Sequence, residues 1–146
     1  MAYFVTGATG FIGRYLVENL LRRGQPIYVL VRKGSEKKLA AARKRWGADD
    51  KQVIGVDGDL ATPGLGVAAA DLRKLKGKID HLFHLAAIYD LKASAEEQQT
   101  ANVDGTRNAV QFADAVKAGC FHHVSSIAAA GLYEGTFRED MFDEAE

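Results

Sequence analysis

The chain has 146 residues, 47% of them apolar, which is enough for one hydrophobic core and too little for two comfortable domains. Nineteen basic residues balance nineteen acidic ones, so nothing in the charge argues for a nucleic-acid partner or a membrane surface. A single cysteine, Cys120, excludes an internal disulfide, and its place at the start of an apolar run predicts a small buried side chain in a reducing compartment.

Tyr3, Phe4 and Val5 form a short β-prone run that passes into Thr6-Gly7-Ala8-Thr9-Gly10-Phe11-Ile12-Gly13. Three glycines spaced three apart let the chain turn tightly, bring bare backbone against a pyrophosphate and seat the next helix close to the sheet. A glycine triplet alone is a weak signal, and its context decides. Phe11, Ile12, Tyr15, Leu16 and Leu20 recur at helical spacing until Gly24 supplies a stop. Strand, turn and helix therefore stand in the order of a dinucleotide cradle, with the pyrophosphate expected at the helix N-terminus. A first strand at Tyr3 leaves no room for a cleavable leader, and no apolar run reaches membrane-spanning length, so a cytoplasmic protein without an integral membrane segment is expected.

The continuous apolar run Ile27-Tyr28-Val29-Leu30-Val31 reads as a second strand buried on both faces. Helix-favouring residues fill 36–46 and Gly47 ends them. Residues 53–56 form a third strand, followed by Asp57-Gly58-Asp59-Leu60, a loop with Pro63, Gly64 and Gly66, and a weaker helix over 67–75. A fourth strand is expected over 79–86. A long helix over 94–118 opens on the capping-box pair Ser94 and Glu97 and carries the stripe Val103, Thr106, Val110, Ala113 and Val116. Residues 121–126 complete five strands. The alternation predicts an α/β fold, a doubly wound parallel (Rossmann) sheet of order 3-2-1-4-5, in one domain over 1–146. The acidic run from Arg138 to Glu146 stops without a packing element, so the sheet is expected to be truncated, the N-terminal portion of something longer.

Ligands of such sheets collect at the carboxyl ends of the strands. Arg32 and Lys33 stand there where an NAD-preferring fold presents an acidic residue to the ribose, and cations favour a 2′-phosphate and hence NADP. A solvated basic face, continued by Lys37 and Lys38, is the plainer reading. Asp59 can accept from the adenine amino group with Leu60 packed on the ring, or serve only as a turn aspartate. Ser125 and Ser126 can bond a substrate carbonyl or merely cap the backbone. His81 and His84, an odd number apart on one strand, point to opposite faces, as do the adjacent His122 and His123, so neither pair chelates locally and no metal is expected.

Five blocks, Thr6-Gly7-Ala8-Thr9-Gly10-Phe11-Ile12-Gly13, Gly58-Asp59-Leu60, His84-Leu85-Ala86-Ala87, Asn102-Val103-Asp104-Gly105-Thr106 and Val124-Ser125-Ser126, resemble the extended short-chain dehydrogenase/reductase family in order and spacing. Arg14-Tyr15-Leu16-Val17, Tyr28-Val29-Leu30-Val31-Arg32, Arg45-Trp46-Gly47 and the stretch from His122 to Asp140 look most like its thioester-reductase branch, in particular bacterial alcohol-forming fatty acyl-CoA reductases. The resemblance implies NADPH-dependent reduction of an acyl-CoA or other acyl thioester to an aldehyde and then a primary alcohol. It implies a cofactor site at Thr6, Gly7, Thr9, Gly10, Phe11, Ile12, Gly13, Arg32, Lys33, Asp59, Leu60, Leu85, Ala86 and Ala87, and Ser126 as the active hydroxyl, five residues before Gly131. The family pairs that hydroxyl with a downstream Tyr-x-x-x-Lys. Tyr3, Tyr15, Tyr28, Tyr89 and Tyr133 are followed four positions on by Gly7, Asn19, Arg32, Ala93 and Phe137, so this pair is missing and the chain alone is expected to do little chemistry. An NADP-binding sensor or scaffold and an NAD-dependent sugar-nucleotide epimerase or dehydratase remain as alternatives. A fifth strand left as an edge invites association, which makes a homo-oligomer a further expectation.

Overall fold

In a computed structural model, residues 1–87, 94–141 and 143 are described. Five parallel strands, β1 (Tyr3–Thr6), β2 (Ile27–Val31), β3 (Val53–Asp57), β4 (His81–His84) and β5 (Cys120–His123), lie in the order β3-β2-β1-β4-β5. The register pairs Tyr3 with Ile27 and His81, and His81 in turn with Cys120. The helices are α1 (Phe11–Leu21), α2 (Glu36–Trp46), α3 (Ala69–Leu75), the short α4 (Ala95–Gln98) and α5 (Gly105–Val116). This is the doubly wound α/β sheet that the alternation of apolar runs predicts.

Because side chains alternate across a strand, β1 feeds two cores. Tyr3 and Val5 pack with Val17 and Leu20 of α1, Leu39 of α2 and Ile27 and Val29 of β2. Phe4 faces the other way, against Leu75 of α3, Leu82 of β4 and Phe112 of α5, whose ring centroid lies 4.7 Å from its own. The two layers clamp the sheet and leave its carboxyl edge open.

Several expected boundaries move. The predicted fourth strand loses residues 85 and 86, because the amides of Leu85 and Ala86 turn away from the ladder to the Thr6 hydroxyl. The fifth ends at His123; Val124 donates a last bond to the His84 carbonyl, and Ser126 then opens a 3₁₀ turn, Ile127–Ala130. Helix α3 begins at Ala69, since Val67 is extended and spends its side chain in the core.

The single long helix predicted over 94–118 is three pieces: α4, a π-helical turn over Gln99–Asp104, and α5. The Ser94–Glu97 capping box is present as read. Lys117, in the left-handed region, ends α5 before Ala118. The buried seam of α5 is Gly105, Ala109, Phe112 and Val116, flanked by Asn108 and Ala113, whereas Val103 and Val110 of the predicted stripe are exposed. A stripe drawn through aliphatic positions misses the glycine and the asparagine that face inward. Cys120 is exposed, contrary to expectation, because among the described residues β5 pairs with β4 alone and stands at the sheet's edge.

Candidate functional site

The glycine turn is built by contacts that no side chain could share. At Gly7 the backbone is left-handed (φ +71°), and an added Cβ would meet the Ala86 nitrogen at 2.8 Å, so the turn lies directly against the end of β4. At Gly13 a Cβ would fall 2.1 Å from the Gly7 carbonyl oxygen, which is how close α1 sits on the turn. Gly10 caps α1 in extended conformation with no side-chain bond, and no acidic residue follows in the first turn. The amides of Phe11, Ile12 and Gly13 therefore head the helix without carbonyls of their own turn to bond, beside the positive end of the helix dipole. Such an end receives a phosphate. The side chains of Phe11 and Ile12 are 74% and 52% exposed, so what these residues offer a ligand is backbone.

A buried polar chain holds the turn in register. Thr6 Oγ1 accepts from the amides of Leu85 and Ala86, both at 3.2 Å. Its one proton is left for His84 Nδ1, 2.8 Å away, which makes Nδ1 the acceptor and places the ring proton on Nε2, donated to Thr106 Oγ1 at 3.1 Å. Burial, with a smaller contribution from nearby His123, pushes the His84 imidazole down to about 4, so this ring stays neutral near pH 7. The chain Thr6–His84–Thr106 joins the ends of β1 and β4 to the first turn of α5. In the sequence His84 reads only as a strand histidine; its pairing with two threonines depends on register.

Above these strand ends lies a cleft of about 600 Å³. Gly7, Ala8 and Thr9 form one wall, Ala86 and Ala87 the next, Asp59 and Leu60 a third, and Arg32 stands at the end of β2. Seven of the expected cofactor residues thus share one cavity. Thr6 lies beneath it, Gly10, Phe11, Ile12 and Gly13 form the helix start beside it, and Leu85 is held half-buried by its bond to Thr6. Lys33 is outside the lining, next to Glu36, whose carboxylate is held below the usual range by backbone amides at Glu36 and Gly34 and by the charge of Lys33. Ser35 and Lys38 line the cleft in its place. A signal for them was available, since both stand at the start of the helix that follows Arg32.

Asp59 takes a turn role as well as its place on the wall. Its Oδ1 accepts from the Ala61 amide at 2.9 Å. The Leu60 carbonyl accepts from Asn108 Nδ2 at 2.7 Å, so a buried asparagine of α5 fixes this wall. Thr100 and Ala101 of the π-helical turn and Glu96 and Glu97 of α4 complete the rim. Ser126 is exposed and lies away from this lining, its hydroxyl accepting from the Ala128 amide at 3.1 Å.

A family model described as male sterility protein, an NAD-binding family, matches residues 5–146. The chain belongs to that family. A linear gramicidin synthase of Brevibacillus parabrevis is 36% identical over 92% of this chain and 3% of its own length. A Drosophila melanogaster protein named as a fatty acyl-CoA reductase is 30% identical over 84% of this chain and 27% of its own. Among solved structures, the terminal R domain from the myxalamid PKS-NRPS pathway has a TM-score of 0.80 at 31% identity, covering 96% of this chain and 38% of that one. Membership of the extended short-chain dehydrogenase/reductases, in their thioester-reductase branch, follows from these relatives together with the five motif blocks. The chain spans well under half the length of each of the three. No described helix is long and apolar enough to cross a membrane.

The glycine cradle fits the dinucleotide that the family description names. Gly7 and Gly13 let the turn, the end of β4 and the start of α1 pack backbone to backbone, which leaves the amides at the helix start without a side chain to cap them.

Proposed function

We propose that this chain is the cofactor-binding part of an NADPH-dependent reductase of acyl thioesters, carried on coenzyme A or on a carrier protein. The observation behind this reading is the Gly7–Gly13 cradle beside a cleft lined by Arg32, just past β2, and by Lys38 of α2. An NAD-preferring site presents a carboxylate there. Arginine's fork of donors suits a 2′-phosphate, and Lys38 adds a point charge.

When bound, the cofactor supplies a hydride to the thioester carbonyl. The residues of this chain hold the pyrophosphate on the amides of 11–13, seat the adenine between Asp59 and Leu60, and keep the cradle in register through Thr6 and His84. Ser126, just past β5, is assigned to the substrate carbonyl. Its hydroxyl can leave the Ala128 amide, because that bond is local and exposed. The gramicidin synthase and myxalamid relatives support a carrier-bound acyl group, and the Drosophila relative supports an acyl-CoA.

The test is Ser126→Ala in the full-length protein, assayed with NADPH and an acyl-CoA or an acyl carrier protein. We expect turnover to fall by about a hundredfold with cofactor affinity nearly unchanged. Unchanged turnover would remove Ser126 from the reaction. NADPH binding with no reduction of either thioester would favour a cofactor-binding scaffold.

A further inference from the structure

We propose that the amino ends of β4 and β5 carry a site for a zinc-class transition-metal ion, with His81, Cys120 and His122 as ligands. Within either strand alone, neither histidine pair chelates. Register between the strands changes the outcome. His81 pairs with Cys120 across the ladder, and Phe83 with His122, so the i and i+2 positions of β5 and one position of β4 share a face. One ligand atom from each of the three residues lies within 4.8 Å of the others.

The two imidazoles meet at 3.0 Å, His81 Nδ1 to His122 Nε2. At that separation one nitrogen donates its proton to the other. A tetrahedral zinc with bonds of about 2.0–2.1 Å holds its nitrogens about 3.3 Å apart, so a metal can take the place of that proton with a shift of a few tenths of an ångström. Cys120 is exposed, which leaves its thiol free to close the remaining distance. On binding, the proton between the rings moves to the other nitrogen of the ring that carried it, so both imidazoles ligate as neutral groups; the thiol gives up its proton to solvent, and water takes the fourth position.

Neighbouring rings fix the imidazoles. Phe83 stacks on His122 with centroids 4.5 Å apart and planes 11° from parallel, and Tyr3 stacks on His81 at 6.0 Å. The ligands stand on paired strands, at the end of the sheet opposite the cofactor cleft. Two imidazoles with a thiolate suit Zn²⁺ or Co²⁺ better than Mg²⁺ or Ca²⁺. The site is independent of the proposed reductase reading.

The experiment is titration of the reduced 146-residue chain with cobalt chloride, followed by displacement with zinc. We expect saturation at one equivalent, tetrahedral d–d bands and a thiolate-to-cobalt charge-transfer band that zinc abolishes. Cys120→Ser, a near-isosteric change at an exposed position, should lose the charge-transfer band. His81→Gln and His122→Gln should each weaken binding by at least about tenfold, the loss seen for partners even one shell further out. Far-ultraviolet circular dichroism keeps misfolded variants from counting. Absence of a thiolate band in the parent chain overturns the proposal, as does an unchanged titration midpoint in folded His81→Gln.

Discussion

β1 and β5 are both four-residue strands of one sheet, yet every residue of β1 is buried and none of β5 is. β1 lies between β2 and β4 with helices on both faces, whereas β5 has β4 on one side and no described strand on the other. The difference shows where this chain's stability and its ligand chemistry reside. The centre of the sheet is locked by packing and holds the glycine cradle rigidly; the β5 side is open and presents histidines, a thiol and serines.

The largest effect should come from filling the locked centre. Gly13→Val places atoms where the Gly7 carbonyl already is, and should cost more than about 4 kcal/mol, enough to unfold the chain in a thermal melt. A folded, stable Gly13→Val would break the account of the cradle. Next comes a matched pair of truncations. Phe4 in β1 is fully buried, while Phe121 in β5 only leans on the same core. Phe4→Ala should cost about 3–5 kcal/mol and Phe121→Ala about 1–2 kcal/mol by urea unfolding. Equal costs would mean that β5 is covered as well as β1.

A smaller effect tests the polar joint between the two regions. His84 is depressed to about 4 in the folded chain, against about 6.5 unfolded. Between those values the unfolded chain binds the extra proton, so stability is fully present above about pH 6.5 and declines as pH falls toward 4. The decline assigned to His84 should be on the order of 2–3 kcal/mol. Comparing urea unfolding of the parent chain and His84→Gln at pH 7 and 4.5 isolates it from the carboxylates; an identical pH dependence in both would contradict the Thr6–His84–Thr106 arrangement.

The same contrast explains what could be read from the residues alone. The central strands announce themselves as apolar runs ended by glycines, so the strand order and the cradle are legible from Thr6 to Gly13. The Ser94–Glu97 capping box is legible for the same local reason. Features set by contacts between distant segments are not. The π-helical turn leaves no apolar signature, and Cys120 reads as buried because its neighbours are apolar, although its strand lies at the edge. Lys38 rather than Lys33 lines the cleft, a placement that depends on how α2 packs against β3. The meeting of His81 with Cys120 and His122 depends on a ladder register that no single strand encodes. Ser126, assigned by resemblance, stands apart from the cleft lining and holds a turn.

The most direct test of the central claim is calorimetric titration of this chain and its Arg32→Glu variant with NADPH and NADH. The parent chain should bind NADPH at least about tenfold more tightly than NADH, about 1.4 kcal/mol, and the variant should lose this preference. Equal affinities in the parent chain, or a preference that survives Arg32→Glu, would contradict it.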